Sequence, residues 1–76
     1  MTRTATISTE HGSDERAAMV AAALAPDNTD EMATRVDGAR VVTDIERPTT
    51  GGLQSTVDDY VVNVRIADRL TDTTQP

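Results

Sequence analysis

The stretch from Thr49 to Leu70, TTGGLQSTVDDYVVNVRIADRL, decides the fold. At about 100° per residue it reads as a helix that is apolar on two sides. Leu53, Val57, Tyr60, Val64 and Ala67 fall on one stripe, and Val62, Ile66 and Leu70 on a second, roughly opposite. A surface helix in a small monomer has one apolar face, because an apolar stripe left in water gains nothing from folding. The first stripe is therefore assigned to packing on the rest of the chain, and the second to another protein. A strand is the competitor, since Tyr60 to Ile66 alternates and is rich in β-branched residues. Two points favour the helix. The first stripe runs beyond strand length in both directions, and Asp58-Asp59 would sit poorly inside a strand.

Outward from this segment, the chain reads as a single domain over residues 1–76. Thr4 to Thr9 alternates as a strand with Ala5, Ile7 and Thr9 on one face, and His11-Gly12 breaks it. Ser13 is a suitable N-cap, followed by Asp14 and Glu15 where a helix dipole favours negative charge. The Ala-rich run after them is a helix offering Val20, Ala21 and Leu24 for packing, ended by the turn Pro26-Asp27-Asn28. Met32 to Val36 and Ala39 to Glu46 read as a hairpin about Asp37-Gly38, with a type I′ turn expected. Thr49-Thr50-Gly51-Gly52 caps and starts the last helix, and residues 71–76, TDTTQP, read as a frayed polar tail. The expected fold is α+β, in the order β-α-β-β-α, with two helices on one face of a three-stranded antiparallel sheet.

Composition adds pressure toward association. The chain has one Tyr, no Phe, no Trp and no Cys. It thus lacks the large aromatic groups that dominate core energetics, and it has no disulfide or thiolate site as a substitute. A domain of this size buries only about 60% of its unfolded surface. Thirteen Asp and Glu stand against seven basic residues, all Arg, for a net charge of −6. This pattern resembles proteins of salt-in halophiles, where strong screening makes self-repulsion tolerable. Signal-peptide and membrane-spanning segments are not expected, and cytoplasm is the default compartment.

Catalytic readings find little in the residues. His11, the one His, is expected as a solvated loop residue rather than a ligand or general base. Asp58 and Asp59 point about 100° apart on a helix and do not converge on one ion, so no metal site is expected. The Thr-Thr-Gly-Gly segment lacks a P-loop pattern and the chain has no Lys to serve one. Ser8, Ser13 and Ser55 lack a nucleophile context. No cofactor is expected.

The element order, together with ALAPDN at Ala23 to Asn28 and TTGGLQSTVDDYVVNV at Thr49 to Val64, resembles the small Pcc-type subunit of the KEOPS complex, of a halophilic archaeal type. The resemblance covers nearly the whole chain up to Leu70. It implies a cytoplasmic, non-enzymatic subunit that forms a homodimer and bridges two copies of the complex. It further implies docking on the catalytic threonylcarbamoyl-transferase subunit, supporting threonylcarbamoyladenosine formation next to the tRNA anticodon, with tRNA contact within the assembled complex. On this reading Val62, Ile66 and Leu70 form the partner interface. The same order also resembles half of a KH-like module, and a stand-alone RNA-binding module is the alternative. Against it, there is no Gly-x-x-Gly clamp, no aromatic RNA-binding sheet and no basic stripe. Arg65 and Arg69 are expected as surface charges.

Overall fold

The computed structural model describes residues 1–72. Its elements are β1 (Arg3–Glu10), α1 (Asp14–Leu24), β2 (Met32–Asp37), β3 (Arg40–Arg47) and α2 (Thr50–Asp72), with a 3-10 turn at Ala25–Asp27 between α1 and β2. The order is β-α-β-β-α. The sheet is antiparallel throughout, with β3 central and β1 and β2 at the two edges. β1 pairs with β3 without a bulge, from Arg3↔Arg47 to Glu10↔Arg40.

Alternation along each strand sets the faces. Ala5, Ile7 and Thr9 of β1 are half-buried while Thr4, Thr6 and Ser8 are exposed, and Val41, Thr43 and Ile45 of β3 are buried under the helices. Helix α1 lies against β2 and β3, and α2 against β3 and β1. Between them Ala17, Val20, Leu24, Val41, Ile45, Tyr60, Val64 and Ala67 make one core, with Ile7, Met32, Leu53 and Val57 packed at its margin. The first stripe of α2 is the one that meets the sheet.

The helix ends follow their sequence signals. The Ser13 hydroxyl accepts from the Arg16 N–H at 3.1 Å, and the Thr49 hydroxyl accepts from the Gly52 N–H at 3.0 Å. Each satisfies one of the donors that a helix start leaves without an intrahelical partner.

Three expectations need correction. The hairpin turn is centred on Gly38-Ala39, because Asp37 pairs with Arg40. Among the described residues only Gly12 and Gly38 have positive φ, so Gly38 (φ 60°) precedes an Ala39 on the ordinary side. That is the sign pattern of a type II′ turn; a type I′ turn would force Ala39 to positive φ against its Cβ. The last helix also outruns the expected boundary. Thr71 and Asp72 are helical, whereas the rest of the tail, 73–76, lies outside the described residues. Finally, His11 is buried.

Candidate docking face on the last helix

Packing divides the surface of α2 into sectors. Tyr60, Val64 and Ala67 point into the core at 1%, 6% and 4% exposure. On one flank of this stripe, Thr56, Asp59 and Asn63 line a groove shared with Asp27 and Thr29 of the α1–β2 connection. On the other flank lie Val61 and Asp68, and Asp68 meets His11 just past the end of β1. The sector away from the core carries Val62, Ile66 and Leu70, exposed at 53%, 50% and 62%. The three residues predicted as an interface thus stand together on the solvent side, and α1 does not cover them.

Sequence reasoning missed Met19. It is 42% exposed and lies one turn after Arg16, whose guanidinium reaches Asp68 of α2. Met19 is therefore on the α2-facing flank of α1. Ile66 and Leu70 follow Asn63 by three and seven residues, on the side of α2 that borders the α1–β2 connection. Ala18, Ala22 and Ala23 of α1 are also exposed. Helical spacing from Asp14 could have shown this face, but the Ala-rich run masks it, because alanine marks neither an inside nor an outside.

The polar residues of the molecule are largely committed to internal partners. His11 is 5% exposed; its Nε2 lies 2.7 Å from the Thr9 hydroxyl and its Nδ1 2.8 Å from Asp68 Oδ1. Arg16 donates to the same carboxylate at 2.9 Å and to the Asp68 carbonyl at 3.2 Å. The expected loop histidine is instead a joint between β1, α1 and α2. It is buried because α2 extends over it and both ring nitrogens have partners. A second chain of hydrogen bonds runs through the core from the Asn28 amide to Thr34, then Thr43, then the Tyr60 hydroxyl. Burial pushes the Tyr60 phenol pKa up, against the opposing hydrogen bond from Thr43.

Charges on the sheet are paired, those of Arg35 and Arg40 on its outer face and that of Arg47 on the helix side, where it also donates to the Thr56 hydroxyl at 2.8 Å. Arg35 binds Asp44 at 2.8 Å, Arg40 binds Glu10 at 3.0 Å, and Arg47 binds Glu31 at 2.7 Å. The Thr6 hydroxyl and then Arg35 hold the Asp44 carboxyl below its ordinary range, with burial opposing slightly. Asp58, Asp59, Arg65 and Arg69 are exposed, as expected. Among the described residues no group of three or more His, Cys, Asp or Glu side chains is placed to hold a metal ion. No helix among them is long and apolar enough to cross a membrane.

In comparisons with known proteins, no family model and no curated protein matches the chain.

Proposed function

We propose that this chain is a non-catalytic, homodimeric accessory subunit of the KEOPS complex, acting in the cytoplasm and carrying no cofactor. It docks on helices of the catalytic threonylcarbamoyl-transferase subunit through Val62, Ile66 and Leu70, and so supports threonylcarbamoyladenosine formation next to the tRNA anticodon. The observation that carries the docking reading is the set of three large apolar side chains, each at least half exposed, on one sector of a helix whose opposite sector is core. The assignment to this complex rests on the resemblance at Ala23 to Asn28 and Thr49 to Val64, which the β-α-β-β-α architecture accommodates.

The energetics fit a hot-spot interface. Fully burying a Val, Leu or Ile side chain contributes about 1.5–3 kcal/mol. Covering the exposed half or more of three such residues supplies roughly 2–5 kcal/mol, or about 30- to 4000-fold in affinity. Replacing Val62 and Ile66 by Asp is expected to abolish co-purification with the catalytic subunit while circular dichroism stays unchanged. Intact binding by that double variant would remove the assignment.

The stand-alone RNA-binding reading is weaker on electrostatic grounds. Arg16, Arg35, Arg40 and Arg47 all sit against carboxylates. Phosphate binding by these side chains would first have to break pairs that already exist.

A further inference from the structure

A groove of about 340 Å³ runs between α2 and the connection from α1 to β2. That volume lies at the small end of the range for ligand sites, about 300–1,000 Å³. Tyr60, 1% exposed, and half-buried Met32 close its floor. The Tyr60 hydroxyl is engaged by Thr43 in the core, so the floor is apolar.

The rim is charged, and its charges do not balance. The carboxylates of Asp27, Glu31 and Asp59 line it against a single guanidinium, that of Arg47. Arg47 is already engaged: its Nε lies 2.7 Å from a Glu31 carboxylate oxygen, and it donates to the Thr56 hydroxyl at 2.8 Å. Asp27 and Asp59 stand on opposite walls, one on the connection and one on α2. Among the described residues neither carboxylate has a hydrogen-bond or ion-pair partner, and the Asn63 amide, one turn after Asp59, has none either.

This lining selects among classes of ligand. An anion would meet three carboxylates and an Arg47 that Glu31 already neutralises. A metal ion needs several oxygens converging on one point. Among the described residues no group of three or more His, Cys, Asp or Glu side chains is placed to do that. A neutral apolar ligand would strip water from Asp27 and Asp59 and return no partner. An alkyl chain with a positive charge at each end meets every part of the lining. Its methylenes cover the apolar floor while its charges reach carboxylates that stand apart, as the stem and head of a Lys side chain divide between apolar surface and water.

We propose that this groove binds an aliphatic polyamine. One ammonium sits at Asp27 and another at Asp59, where the Asn63 amide oxygen accepts a further hydrogen bond, and the methylene chain between them lies over Met32 and Tyr60. The site is independent of the complex proposed above, since Val62, Ile66 and Leu70 do not line the groove.

Titration of the isotopically labelled chain with spermidine, followed by amide chemical shifts, tests it. Ionic strength is held fixed, because a chain of net charge −6 attracts any polycation. The amides of Thr29, Met32 and Asn63 should shift together and saturate, and butylamine, with one charge, should bind more weakly. Asp59→Asn and Asp27→Asn should each raise the dissociation constant about two- to fivefold, the loss expected for one exposed ion pair. Asp58→Asn removes the same charge one residue away, outside the groove, and should leave the constant unchanged. Equal weakening by Asp58→Asn and Asp59→Asn overturns the proposal, because it marks attraction to the net charge alone. Shifts centred instead on Thr4, Ala33 and Glu46, which line a second groove across the sheet, overturn it too, as does a titration that never saturates.

Discussion

Asp68→Ala probes the joint that the sequence concealed, and the structure sets its magnitude. Asp68 Oδ1 accepts from Arg16 at 2.9 Å and lies 2.8 Å from His11 Nδ1. A hydrogen bond to a charged group contributes about 1.5–3 kcal/mol when well shielded. The Asp68 side chain is 44% exposed and that of Arg16 30%, so the Arg16 bond is discounted to about 0.5–1 kcal/mol. The His11 side chain is only 3% exposed. Losing its acceptor leaves a buried polar nitrogen without a partner, at about 1–3 kcal/mol.

Together these give a loss of about 1.5–4 kcal/mol for Asp68→Ala. Asp68→Asn keeps an oxygen acceptor for His11 and removes only the charge, so about 1 kcal/mol is expected. In a domain of this size each kcal/mol moves the thermal midpoint by about 4–8 °C. Asp68→Ala should therefore lower it by roughly 6–32 °C, and Asp68→Asn by no more than about 8 °C. Thermal and urea unfolding at neutral pH measure both variants. A loss below about 0.5 kcal/mol for Asp68→Ala would refute the reasoning, since it would mean that water replaces the carboxylate at a site where the packing leaves His11 almost none.

Three further outcomes follow from other parts of the fold. Because burial raises the Tyr60 pKa above its ordinary value of 10.0, folding favours the protonated phenol; its contribution is complete below that pH and is lost as pH rises through the folded value. Alkaline titration followed by tyrosinate absorbance and circular dichroism should show ionisation coupled to unfolding, and Tyr60→Phe should shift the alkaline transition. Asp44 has the opposite sign: its pKa lies below 3.8, so its contribution is present above that pH and fades as pH falls through the folded value. Asp44→Asn should accordingly lower stability at neutral pH and converge with wild type in acid titrations carried below that range. Gly38→Ala should cost about 1–2 kcal/mol in urea unfolding, because φ of 60° is strained for any residue with a Cβ even though the space beside it is open.

The layout was legible where the sequence repeats with a clear period. The two stripes of α2 and the alternation in β1 and β3 each carry enough large apolar residues to distinguish inside from outside. Capping was legible for the same local reason, since Ser13 and Thr49 act within three residues of themselves. The turn at Gly38-Ala39 was misplaced by one residue because Asp-Gly and Gly-Ala both put a glycine in a two-residue loop. Strand register, which depends on β3 as a whole, decides between them. His11 was misread because its partners are two residues and 57 residues away. A helix extending over the end of a strand leaves no local pattern at the strand. Met19 went unnoticed because its neighbours on the outer face of α1 are alanines.

Helix α2 separates differently built sectors by angle around its axis. Tyr60 and Val64 hold the helix to the sheet through buried contacts and a hydrogen bond to Thr43. That anchoring fixes where every other sector points. Val62 follows Val61 by about 100°, which is enough to turn one toward the packed flank and leave the other half in solvent. The aromatic-poor core makes this economical, because Ala17 and Ala67, at 0% and 4% exposure, let the helices and sheet approach closely. The same small residues leave little reserve of buried area. On the dimeric reading proposed above, dilution to the monomer should then lower the unfolding midpoint as well as the mass.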